Sequence, residues 1–174
     1  MTGMRAGVVA RWTLLIVTSY FLQLFLSTLR PGGVAIQLLP VLAVCAGVIG
    51  GAPRGAIVGF WAGLLFDLAL PGPLGLSALV YCLVAFAVGS MQEAILQMAR
   101  WISIVLVSAG AALAMIVFAV GGEVFGDHTL STPHLDSIIA VVALSGALLA
   151  PIGLRLARWA EGPDARLPGV LADV

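Results

Sequence analysis

Residues 51–79 read GAPRGAIVGFWAGLLFDLALPGPLGLSAL, and the fold turns on this stretch. Gly51, Gly55, Gly59 and Gly63 recur every four residues, and Asp67 takes the next position in the series. A Pro71-Gly72-Pro73 turn follows, and a second apolar segment begins at Leu74. The pattern predicts two membrane helices joined by a tight turn. Glycines at this spacing let helix backbones approach closely in lipid, where packing rather than water exclusion drives association. A carboxylate at that depth is expensive unless it has a partner, so Asp67 is singled out for a role.

The rest of the chain agrees. Of its 174 residues, 61% are hydrophobic and 9% charged, with a mean hydropathy of +1.16. A soluble domain carries roughly 25% charged residues, so this is an all-α integral membrane protein. At about 20 residues per crossing, the length predicts about six helices in one bundle and no sizeable soluble domain. The expected spans are about 12–29, 34–50, 55–70, 74–89, 102–120 and 137–154. They form one transmembrane domain over residues 1–158, with 159–174 as a polar, disordered tail. Five crossings result instead if the segment carrying Pro40 does not fully cross. A kink is expected near Pro40, and the short third span suggests local thinning or snorkelling by Arg54. The run from Trp12 exceeds a signal-peptide core and lacks a cleavage site, so it reads as the first span.

Between spans four and five, SMQEAILQMARW at residues 90–101 carries Glu93, Gln97 and Arg100 at helical spacing, as an interfacial helix would. All eight basic residues are arginine. With the N-terminus inside, Arg5, Arg11, Arg54, Arg100, Arg155, Arg158 and Arg166 fall on inner segments and Arg30 alone outside. This bias places both termini in the cytoplasm. No basic cluster invites nucleic acid.

Several function classes are excluded. Ser77 lacks the second glycine of a nucleophile elbow, and no base accompanies it at membrane depth. The loop over residues 121–136 holds Glu123, Asp127, His128, His134 and Asp136 in no metal-ligand spacing, and reads as a solvated acidic loop. Cys45 and Cys82 lie in apolar segments as small core residues rather than a disulfide. Trp61 and Tyr81 are expected to pack inside the bundle. No enzymatic activity, cofactor or metal is expected.

Asp67 has three readings. It lies one turn before Pro71, at a helix C-terminus where the dipole disfavours a carboxylate. It can cap the next helix through the free N–H groups near Gly75, Leu76 and Ser77, contact a partner protein, or serve a proton or ion role. The stripe Gly55, Gly59, Gly63 drifts about 40° per four-residue step, which suits a crossed, close contact. That contact lies either inside the bundle or with another protein's helix.

The run Gly59-Phe60-Trp61-Ala62-Gly63-Leu64-Leu65-Phe66-Asp67, followed by Pro73-Leu74-Gly75, resembles the signature of the rod shape-determining protein MreD family. Gly59, Phe60, Gly63, Asp67, Leu74 and Gly75 match residue for residue. The resemblance implies a bundle similar to the substrate-binding subunits of energy-coupling-factor transporters. It implies a bacterial inner-membrane scaffold of the cell-wall elongation machinery that supports cell shape and peptidoglycan synthesis. The partner would be an MreC-like bitopic protein, and through it the MreB filament, the RodA glycosyltransferase and a class B penicillin-binding protein. The residues expected to carry integrity or partner contact are Gly55, Gly59, Phe60, Gly63, Asp67, Leu74 and Gly75. The alternative is a membrane subunit binding a vitamin or metal for a transporter, which would need convergent polar groups in a pocket. Gln23, Gln37, Asp67, Ser77 and Tyr81 are instead scattered over four spans.

Overall fold

The computed structural model describes residues 6–29, 37–69, 74–91, 100–124 and 135–162. Within them the chain is all helical: α1 Ala6–Leu29, α2 Leu38–Ala69, α3 Leu76–Ser90, α4 Arg100–Val124 and α5 Leu135–Glu161. Of these, α1, α2, α4 and α5 are long and apolar enough to cross a bilayer, while α3 has 15 residues. The core gathers small and branched side chains from α2 to α5, among them Leu39, Val44, Val80, Val107 and Val142.

The helix α2 is broken once, at Gly51, whose φ of 79° and ψ of 178° are non-helical. Essentially only glycine adopts that backbone conformation. The break reverses the chain. A Cβ placed on Gly55 would come within 2.7 Å of the Gly47 Cα, whereas eight residues of uninterrupted helix would separate them by about 12 Å. The two halves of α2 therefore lie against each other, and α3 packs along both.

The reversal falls between the expected spans 34–50 and 55–70; Gly51 alone makes it, and Ala52, Pro53 and Arg54 are helical. Pro53 sits in the first turn after the break, and Pro40 in the first turn of α2. The missing proline N–H falls there among donors that have no intrahelical partner anyway. No kink forms at Pro40, contrary to expectation.

Other boundaries shift as well. Helix α3 begins at Leu76, with Leu74 and Gly75 in a turn. Helix α4 extends to Val124, into the expected outer loop, and α5 starts at Leu135. The latter runs on to Glu161, so Trp159, Ala160 and Glu161 belong to a helix rather than to a tail. Most of the expected interfacial segment (92–99), the Pro71–Pro73 turn, the acidic stretch at 125–134 and the tail from 163 lie outside the described residues. Both cysteines are free, and Cys45 packs in the core against Gly153.

Candidate functional site

The glycine series meets α3 along its whole length. A Cβ on Gly55 would lie 2.6 Å from the Ala85 carbonyl oxygen, and one on Gly59 2.5 Å from that of Tyr81. One on Gly63 would lie 2.5 Å from the Ser77 carbonyl carbon, and at the break one on Gly89 of α3 would reach the Gly51 carbonyl carbon at 2.6 Å. Each obstacle is main chain, which cannot swing aside. The partners step backwards by four as the glycines step forwards, so the two helices run antiparallel and touch on four successive turns. Glycine is required here because nothing larger fits.

Asp67 completes the seam. It is 7% exposed, and its carboxylate turns onto the start of α3. Its Oδ2 accepts from the Gly75 N–H at 2.8 Å and the Ala78 N–H at 3.3 Å, and its Oδ1 from the Ser77 N–H at 3.2 Å. Gly75 is the N-cap, with φ 101° and ψ −12°, a left-handed backbone that strains any L side chain. Its carbonyl accepts the first helical bond, from the Leu79 N–H at 2.9 Å. Asp67 thus supplies from the preceding helix the acceptor that an N-cap side chain usually provides. Its negative charge faces the positive end of the α3 dipole, which offsets the unfavourable end of its own helix. Tyr81 is buried one turn on and stacks at a tilt on Phe66, with ring centroids 6.0 Å apart. The Ser77 hydroxyl is buried with no hydrogen-bond partner among the described residues.

The family model described as rod shape-determining protein MreD matches residues 5–152. The chain belongs to the MreD family. Its place is therefore among multi-pass membrane proteins with a role in rod shape determination, a shape-determining family rather than an enzyme family. Neither the curated proteins nor the solved structures offer a match.

The family-like residues divide into two groups. Gly55, Gly59, Gly63 and Asp67 are buried between α2 and α3, and Gly75 forms the turn that joins them. Phe60, 45% exposed, and Leu74, 74% exposed, point away from the bundle. Trp61 is 54% exposed and rests edge-on against Phe60 at 5.9 Å, rather than packing inside as expected. Away from the glycine face, which α3 occupies, Ile57, Phe60, Trp61 and Leu68 of α2 are exposed.

Two polar residues gain roles that sequence reasoning did not give them. Gln23 of α1 is buried, and its Oε1 accepts from the Leu38 and Leu39 N–H groups at 2.9 and 3.0 Å. It caps α2 from another helix, as Asp67 caps α3. Glu161, at the far end of α5, is buried. It pairs with Arg54 and accepts from the Trp12 Nε1–H at 3.0 Å. Arg54 therefore makes an ion pair to a buried carboxylate while its side chain stays 36% exposed. Nearby, the Arg11 guanidinium lies over the Trp159 ring at 5.4 Å and donates to the Trp159 carbonyl at 3.3 Å. The start of α1, the break in α2 and the end of α5 are thereby tied at one end of the molecule, while Gln23 and Asp67 work at the other. Only proximity in the fold reveals these pairs, because about 150 residues separate Trp12 from Glu161.

Proposed function

We propose that this chain is a non-enzymatic scaffold of the cell-wall elongation machinery, binding the transmembrane helix of an MreC-like bitopic partner. Family membership supports the role in shape, and the division of the signature supports the mode. The glycine and aspartate half is spent on holding α2 to α3, so partner recognition falls to the outward half, Phe60 and Leu74 with their neighbours. Large apolar side chains presented on a rigid, closely packed helix pair give a partner helix a fixed surface to fit. Through that partner the chain would reach the MreB filament, RodA and a class B penicillin-binding protein.

In this reading each half of α2 crosses the inner membrane, giving six crossings in an arrangement similar to the substrate-binding subunits of energy-coupling-factor transporters. The first half is short, so its crossing relies on local thinning of the bilayer. The end carrying Arg11, Arg54, Arg155 and Arg158 faces the cytoplasm, in keeping with the arginine bias.

The test is co-purification in mild detergent from native membranes, with partners identified by mass spectrometry. Wild type should recover a bitopic protein with a large extracytoplasmic domain, together with wall-synthesis enzymes. Phe60→Ser should lose that partner while keeping its own stability, and Gly63→Leu should lose both. Recovery of ATPase subunits with a small coupling protein would make the chain a transporter component instead.

A further inference from the structure

A groove of about 420 Å³ opens between α1 and the second half of α2. Trp12, Ile16 and Val17 form one wall, and Ile57, Trp61 and Leu65 the other. The hydroxyl on its lining, that of Thr13, is already bonded to the Val9 carbonyl at 3.0 Å. The groove therefore offers apolar contact and asks for no polar partner.

Three observations decide what fits it. The first is depth. Its lining spans residues 9–17 and 57–65, about 12 Å of helix on each wall. That approaches half of a ~30 Å hydrocarbon core, one leaflet's share. The second is the character of the walls. A partner helix lying close would want small residues, but these walls are branched and aromatic, and the glycines of α2 face α3. The third is charge. Arg54 precedes Ile57 and Val58 by three and four residues, which sets it on the same helix face one turn beyond the groove. Its side chain is 36% exposed. Glu161, which pairs with it, also holds the groove residue Trp12. A guanidinium has five donors, more than one carboxylate uses. Among the described residues at this end, Arg11, Arg54, Arg100, Arg155 and Arg158 outnumber the carboxylate Glu161, a positive field that attracts anionic headgroups.

We propose that the groove seats one acyl chain of an anionic glycerophospholipid, from the leaflet on the Gly51 side, with its phosphate at Arg54. The bound lipid fills the gap between α1 and α2 and steadies the otherwise thin contact between them. The proposal does not depend on the partner reading above.

The test uses the full chain in nanodiscs containing phosphatidylglycerol with a photoreactive group on its acyl chain, and adducts are mapped by peptide mass spectrometry. The wild type should concentrate adducts on residues 9–17 and 57–65, several-fold above the more exposed apolar face of α5 at Leu144 and Leu148. A photoreactive phosphatidylcholine should label the groove about five-fold less, corresponding to the ~1 kcal/mol that an arginine near an anionic surface supplies. Ile57→Trp should reduce groove adducts alone, and Arg54→Gln with Glu161→Gln should erase the preference between the two lipids. Uniform labelling of every exposed face, or equal labelling by both lipids in the wild type, would overturn the proposal. So would displacement of the label by equimolar polyprenyl phosphate where unlabelled phosphatidylglycerol fails to displace it.

Discussion

Asp67 concentrates the question of role in one carboxylate. Three N–H groups at the start of α3 turn to it, and two of these bonds are buried. Leaving a buried donor unpaired costs ~1–3 kcal/mol, so Asp67→Leu should destabilise the protein by about 3 kcal/mol or more. Asp67→Asn retains one acceptor oxygen and should lose about half as much by the same reckoning. Thermal unfolding in detergent measures both. Equal losses would assign the effect to the charge itself and revive a partner or ion role. The sequence made this residue legible because a lone acid in an apolar run must find donors, and the nearest unpaired donors begin the next helix. Gln23 was less legible, since a neutral amide signals little until the start of α2 is seen beside it.

At the scale of elements, the helix pair α2–α3 depends on one reversal and one seam. The reversal at Gly51 uses a backbone conformation that costs a non-glycine residue about 1–3 kcal/mol, and Gly89 packs against the same point. Gly51→Ala should therefore lower the unfolding temperature more than Gly7→Ala, where an added Cβ meets nothing within 4 Å. Similar melting of the two variants would mean that the reversal tolerates a side chain. The seam was readable from the four-residue glycine period, because the spacing admits a close backbone neighbour. Which neighbour it is was not readable, since an outward stripe and an inward stripe are written alike. The reversal was readable as the gap between the expected spans 34–50 and 55–70, but its device was not, because Pro53 draws attention as a helix breaker yet sits where a helix accepts proline.

Over the whole molecule, the ends are organised by pairings distant in sequence. Glu161 is buried and Arg54 is partly exposed. Removing the arginine strands a buried carboxylate, which costs about 3–5 kcal/mol. Removing the carboxylate instead leaves a cation that can reach water and one unpaired indole N–H at Trp12, which costs about 1–3 kcal/mol. Arg54→Ala should thus be more damaging than Glu161→Ala, and the double variant should recover part of the loss. Additive losses, read from unfolding midpoints, would show that the pair contributes no coupling. Composition alone made the membrane class legible, and hydropathy located most of the helices. The connection of α1 to α5 was not visible, because it rests on Trp12 and Glu161 meeting only after the bundle closes.

In the function proposed above, the glycine–aspartate half of the signature builds the bundle while its outward half meets a partner. A photoreactive amino acid placed in living cells at Phe60, and separately at buried Ala62, tests this most directly. Position 60 should cross-link to the transmembrane helix of a bitopic protein with a large extracytoplasmic domain, and position 62 should give adducts only within the chain. Cross-links from position 60 to transporter subunits, or to lipid alone, would contradict it.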